Sequence, residues 1–150
     1  MTDHVAWCVV PDDRLYDLDL HVWVLPEGDE VVLGMTDVAQ TRGGRMVSVS
    51  WKKVGRTMTR GQSVAVVESA KWVGPFPTPL TGNWWRSTRP ALEADVAVAN
   101  RDPYGAGWLA RVRPADLAAE REHLTEGAEA MAAYHRFIDD NDITCMRCAD

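Results

Sequence analysis

The sequence predicts a mainly β fold, a sandwich or flattened barrel of short strands with a C-terminal helical segment packed on it. Three observations carry that reading. Between about His21 and Arg113, short runs of β-branched and aromatic residues recur at near-regular spacing. Turn chemistry separates them, as in Pro26-Glu27-Gly28-Asp29, Arg42-Gly43-Gly44, Pro77-Thr78-Pro79 and Asp102-Pro103-Tyr104-Gly105. After Pro114 the composition shifts to Ala, Glu, Leu and Met, with Met131, Tyr134 and Ile138 at helical spacing.

Taken in order, the elements begin with Met1 to Leu20, an aspartate-rich lead punctuated by Pro11 that reads as a short helix or turn outside the core. Strands follow at His21–Leu25, Glu30–Met35, Arg45–Trp51, Ser63–Val67, Trp72–Phe76, Gly82–Arg86 and Trp108–Val112. After the second strand, Thr36-Asp37 offers an N-cap and Gly43-Gly44 a stop, so a short helix is expected from Thr36 to about Arg42. The Met131, Tyr134 and Ile138 stripe places one face of a C-terminal helix, or a broken helix pair, against the barrel. From Asp139 to Asp150 the periodicity disappears, and the segment reads as an appended peptide. The chain therefore divides into a lead of residues 1–20, a domain of residues 21–138 and a cysteine-containing tail of residues 139–150.

Composition narrows the function. A chain of 150 residues, 46% of them hydrophobic, suffices for one domain with a true core. Its formal charge of −6 argues against sequence-independent nucleic-acid binding, which needs a basic face to displace counterions. Neither a cationic N-terminus nor a long apolar segment is present, so no membrane span and a cytoplasmic location are expected. Proteins are the expected partners, and a monomer the expected state. His4, His21, His123 and His135 lack metal-ligand spacing and a nearby nucleophile, so no metal and no independent catalytic constellation are expected.

The most informative residue is Lys71. It sits between the apolar runs Val64–Val67 and Trp72–Phe76, with Glu68-Ser69 and Ala70 marking a turn, and so at the tip of a predicted hairpin. Lysine occurs elsewhere only at Lys52 and Lys53, whereas arginine supplies thirteen of the sixteen Lys and Arg residues. A modifying enzyme meets few decoys. A lysine amine can form an amide once deprotonated, and its flexible stem can swing a long prosthetic group.

Four motifs in sequence order resemble the glycine cleavage system H protein family. They are His21-Val22-Trp23-Val24, Gly34-Met35-Thr36-Asp37-Val38-Ala39-Gln40, Val66-Val67-Glu68-Ser69-Ala70-Lys71 and Asn100-Arg101-Asp102-Pro103-Tyr104-Gly105-Ala106-Gly107-Trp108-Leu109. The resemblance spans about Tyr16 to Phe137. It implies a barrel-sandwich hybrid, or lipoyl/biotinyl hammerhead, and a non-catalytic carrier with lipoate amidated on Lys71. Glu68 and Gly55 stand where that family's lipoylating enzyme recognises its target. Biotin carriers share the fold but prefer methionines beside the lysine, and Ala70 and Trp72 are not methionines.

The departures from that pattern carry information too. Typical members have acidic residues just after the Ala-Gln, where this chain reads Thr41-Arg42-Gly43-Gly44-Arg45, and Gly82-Asn83-Trp84-Trp85-Arg86 replaces a usual acidic, small-residue stretch. Together with the Cys145-Met146-Arg147-Cys148 tail, these features resemble the lipoate-binding proteins of sulfur-oxidising prokaryotes. That resemblance implies a carrier of sulfur intermediates for a heterodisulfide-reductase-like complex, with a lipoylating enzyme and dihydrolipoyl dehydrogenase as further partners. Two alternatives stand beside it: an H protein carrying an aminomethyl group, and an unmodified interaction module. Cys8, Cys145 and Cys148 are candidate redox cysteines. The Cys145-x-x-Cys148 pair alone is only half a zinc site, and the three cysteines read either as inert thiols at exposed ends or as a bridge from Cys8 to Cys145 or Cys148 that pins both termini to the barrel.

Overall fold

The computed structural model describes the backbone of residues 2–5, 8–87 and 89–145. Its main sheet contains β3 (Leu15–Asp17), β4 (Val22–Glu27), β5 (Glu30–Met35), β7 (Thr57–Met58), β10 (Gly82–Ser87), β11 (Ala110–Pro114) and β12 (Thr125–Glu126), in spatial order β12-β3-β4-β5-β11-β10-β7. A three-stranded sheet, ordered β6-β8-β9, is formed by β6 (Met46–Trp51), β8 (Ser63–Ser69) and β9 (Val73–Pro77). The hairpin of β1 (Thr2–Val5) and β2 (Cys8–Pro11) forms a separate two-stranded sheet. This is the mainly β arrangement of a barrel-sandwich hybrid with a C-terminal helix.

The two-residue period of the strands divides the apolar residues between two cores. On β4, Val22 and Val24 face inward, and on β5 so do Val31, Leu33 and Met35; there they meet Val64, Val67 and Phe76 of the three-stranded sheet. The alternate residues Trp23 and Val32 face outward into a second core with Tyr16, Val38, Tyr134 and Ile138. Trp23 pairs across the strands with Gly34, where an added Cβ would lie 2.4 Å from the indole, so only glycine admits that ring.

The second core is closed by α5 (Gly127–Asn141), whose buried face is Ala130, Tyr134 and Ile138. The segment before it is broken into α4 (Leu117–Glu120) and a 3-10 turn at Arg121–His123, within the expected broken helix pair.

Two expectations need correction at the ends of the chain. The lead is not a helix or turn outside the core, because residues 2–5, 8–11 and 15–17 are strands and Cys8, Val10, Leu15 and Tyr16 are buried. Its alternation is hard to recognise because Leu15, Tyr16 and Asp17 are all buried, the last through a 2.7 Å ion pair with Arg60. Nor does the segment after Ile138 behave as an appended peptide. The helix runs on to Asn141 and stops where Asp142 takes a left-handed φ of 51°, with the Ile143 N–H returning to the Ile138 carbonyl at 3.1 Å. This Schellman-type turn sends the chain back to the second core. There Cys145 is disulfide-bonded to Cys8, with a Cα–Cα separation of 5.0 Å. Of the two bridges the sequence left open, the molecule makes the one to Cys145; Cys148 lies outside the described residues.

Sequence reading also missed the short strands β7 and β12 and the helices α2 (Arg89–Ala94) and α3 (Val98–Arg101). Elements of two to six residues carry too few positions to display a period.

Candidate functional site

The site is built where α1 (Asp37–Gly43) ends against the β8–β9 hairpin. Thr36 caps the helix, its Oγ1 accepting from the Ala39 N–H at 3.1 Å. The other end stops at Gly44, with φ 87° and ψ −174°, a conformation open essentially to glycine alone. An added Cβ there would lie 2.8 Å from Lys71 Cε, so the bare backbone is also the surface on which the lysine stem rests. We expect Gly44→Ala to lower folding stability by about 1–3 kcal/mol and to displace that stem. Denaturant unfolding would measure the first effect, and a slower rate of lipoyl attachment the second.

A buried polar network holds this platform. Asn100 on α3 accepts from the Met46 N–H at 2.8 Å and donates through Nδ2 to the Gly44 carbonyl at 3.1 Å and to Gln40 Oε1 at 3.0 Å. The Gln40 amide in turn donates to Asp37 Oδ1 at 3.1 Å. At the other end of the helix, the Tyr104 hydroxyl accepts from the Asp37 N–H at 2.9 Å and donates to the Val9 carbonyl at 2.6 Å, while the Val9 N–H donates to Asp37 Oδ2 at 2.7 Å. Three of these side chains are nearly inaccessible, so each unmet hydrogen bond would carry a desolvation cost. The sequence motifs contained Asn100 and Tyr104 without revealing this role, because the partners lie 56 and 67 residues away.

At the hairpin tip, Ala70 and Lys71 occupy the two central positions. The Ser69 N–H donates to the Trp72 carbonyl at 2.7 Å, and Ser69 Oγ accepts from the Lys71 N–H at 3.3 Å. The turn begins later than the sequence suggested, since Glu68 and Ser69 still belong to β8 and Trp72 precedes β9. Lys71 is exposed, and Trp72 and Val73 beside it remain 43% and 62% exposed. Glu68 is also exposed, close to the tip, and its Oε1 lies 3.5 Å from the Ser48 hydroxyl that donates to it.

Gly55 is not brought to Lys71. The β6–β8 register pairs Met46 with Ser69 at the tip end and Trp51 with Ala65 at the far end, and the chain moves away from the tip before reaching Gly55. There the Gly55 N–H donates to the Trp84 carbonyl at 2.8 Å. The side chains of Trp85 and Arg86 lie outside the described residues.

Beside the tip opens a cleft of about 470 Å³, walled by Leu20, Met35, Met46, Val67, Trp72 and Phe76 among others. Its ionisable groups are Asp19, His21 and Arg42. The Arg42 guanidinium stands 5.4 Å from the centre of the Phe137 ring. His21 Nδ1 lies 3.1 Å from the Tyr134 hydroxyl. Burial, and next the nearby Arg42 charge, push the His21 pKa below its ordinary value, which favours the neutral ring. Sequence reading left His21 and Arg42 without a site because the cleft is assembled from four separate segments.

The described side chains present an exposed lysine at a hairpin tip beside an apolar cleft. An accessible amine at such a tip is what a covalent-cofactor carrier needs. The model of the glycine cleavage H-protein family matches residues 15–137, and the chain belongs to that family. It is 38% identical to glycine cleavage system H protein 3 of Aquifex aeolicus over 95% of this chain and 93% of that one. With a glycine cleavage system H protein of Thermus thermophilus the identity is 42%, over 79% of this chain and 91% of the relative. The crystal structure of a glycine cleavage system H protein from Mycobacterium marinum superposes with a TM-score of 0.71 at 34% identity, covering 83% of this chain and 98% of that one. Members of the family carry lipoate bound covalently to a lysine and serve partner enzymes, including those that lipoylate them, without being catalysts themselves. Both cysteines of the disulfide fall outside the residues matched by the family model. Among the described residues no helix is long and apolar enough to cross a membrane.

Proposed function

We propose that Lys71 is the lipoyl attachment site and that the loaded arm shuttles sulfur intermediates in the cytoplasm, serving a heterodisulfide-reductase-like complex that oxidises reduced sulfur compounds. One observation carries the attachment: Lys71 is the single lysine at the hairpin tip, exposed, with its stem laid over Gly44 at the mouth of an apolar cleft. These residues fit the group. The stem has a free end for an amide, and the neighbouring apolar walls suit a hydrocarbon arm.

Lipoate on that lysine would supply a dithiolane able to take up and release a group by thiol–disulfide exchange. The chain's own contribution is positional. Asn100 and Gln40 hold the platform, the Ser69 turn aims the lysine, and Glu68, with Trp72 and Val73, offers the lipoylating enzyme a surface beside the target amine. Gly55, away from the tip, would act on that recognition only through an enzyme large enough to span the sheet.

The sulfur reading is supported by the α1 terminus, where Arg42 and Arg45 stand in a segment that is acidic in typical H proteins, and by the cysteine-bearing ends. The names of the relatives favour a second reading, an aminomethyl carrier in glycine cleavage. Reconstituted glycine cleavage separates the two. We expect the lipoylated protein to support less than about a tenth of the turnover of an authentic H protein, a loss worth at least about 1.4 kcal/mol at the transition state. Comparable turnover would restore the aminomethyl reading.

A further inference from the structure

We infer that the group carried on the arm ends in an anion and that Arg42 is the residue that selects it. The inference rests on the lipoyl assignment of Lys71 and gives the chemical class of the cargo.

Few ionisable groups line the cleft. Lys71 becomes a neutral amide once loaded, so it cannot serve as a counter-ion for its own cargo. Of the remaining ionisable groups lining the cleft, His21 is held toward its neutral form, which leaves Arg42 and Asp19. Asp17, close by in the chain, is already paired with Arg60 at 2.7 Å. Arg42 is held by the Phe137 face, 5.4 Å away, and it sits in the last turn of α1 next to Gly43, another residue of the cleft wall. The rest of the wall is largely apolar, with Leu20, Met35, Val67, Pro75 and Phe76, so few other polar groups there compete for a charged end of the arm. An ammonium-bearing cargo would face a like charge at Arg42, whereas a terminal sulfur or sulfonate anion would be paired by a guanidinium with several donors.

Sulfite is a probe whose chemistry balances without any added oxidant or reductant. Its sulfur lone pair attacks one sulfur of the dithiolane and the ring S–S bond breaks. An S-sulfonate forms at the attacked sulfur, and the second sulfur leaves as a thiolate. Intact mass reads the sulfonated fraction at equilibrium, independently of any partner enzyme.

The experiment uses the lipoylated protein and its Arg42→Gln, Arg42→Lys, Arg45→Gln and Asp19→Asn variants, each checked for an unchanged melting temperature. Because the guanidinium is exposed, we expect Arg42→Gln to lower the sulfonation equilibrium constant about two- to fivefold. Arg42→Lys should recover part of the loss, Arg45→Gln should leave the constant within experimental error, and Asp19→Asn should leave it unchanged or raise it. Equal sulfonation of wild type and Arg42→Gln would overturn the inference. So would an equal loss in Arg45→Gln, which would mark a diffuse field, or a loss confined to Asp19→Asn, which would mark selection of a cation. A protein that takes no lipoyl group at Lys71 overturns the attachment reading together with this one, whereas a normally loaded Lys71 with indifferent Arg42 overturns the anion alone.

Discussion

Replacing Lys71 by arginine should abolish loading outright. Protein made with lipoate and a competent lipoylating enzyme should gain one lipoyl mass, on the peptide containing Lys71, and the Lys71→Arg variant should gain none. The physical reason is that a guanidinium stays protonated and delocalised, so it offers no free amine to acylate. Lys52 and Lys53 are exposed but are poor substitutes, because both lie in the connection between β6 and β7, before the turn at Val54-Gly55, and not at the centre of a two-residue hairpin turn. The Lys52 N–H is bonded to the Val64 carbonyl at 2.8 Å, and the Lys53 carbonyl accepts from the Trp84 indole at 3.1 Å. The folded state should be nearly indifferent, with stability changed by less than about 0.5 kcal/mol, since the side chain is exposed and lies on glycine backbone. Lipoyl mass on Lys52 or Lys53, or carrier activity retained by the variant, would defeat the assignment.

Breaking the Cys8–Cys145 bridge should give the largest stability loss of any simple change. The two residues are 137 positions apart, so the cross-link constrains nearly the whole unfolded chain, and the chain-entropy model puts its value at about 4–5 kcal/mol. A Cys8→Ala, Cys145→Ala double variant avoids burying unpaired hydroxyls and should show a denaturation midpoint lowered by that amount divided by the slope. Loss should reach beyond the termini. The β2 strand that carries Cys8 also supplies the Val9 groups bonded to Asp37 and Tyr104, so hydrogen exchange at the start of α1 should accelerate along with that of α5. Both cysteines are almost wholly buried, at 0% and 1% exposed, and reductant should act slowly on the folded protein. Unfolded without reductant, the chain should titrate one thiol; three would show that the bridge does not form. An unchanged midpoint in the double variant would show that burial alone holds the termini.

Much of this architecture was legible in local sequence. Strands and the short helix between β5 and β6 could be placed because period-two alternation, the Thr36 cap and the Gly43-Gly44 stop act over neighbouring residues. The Lys71 tip was legible for the same reason, being flanked by two β-branched runs. The lead was misread because its strands are short and partly masked by aspartates. Its burial depends on partners far away in the chain, Arg60 for Asp17 and α5 for Tyr16. The tail was misread because a helix end and a return to the core leave no periodic signal once the Asp139-Asp140-Asn141-Asp142 run begins, although Asp142 makes the stop.

What the sequence by itself determined, then, was the class of fold, the order of most strands and the position of an isolated lysine at a hairpin tip. All of these depend on side-chain alternation and turn chemistry within a few residues. Only the tertiary structure decided which cysteine meets Cys8, how Asn100 and Tyr104 anchor the helix beneath the lysine, and which residues wall the cleft. Those outcomes depend on contacts between segments many positions apart, where burial and unmet hydrogen bonds in three dimensions, and not local propensity, set the energy.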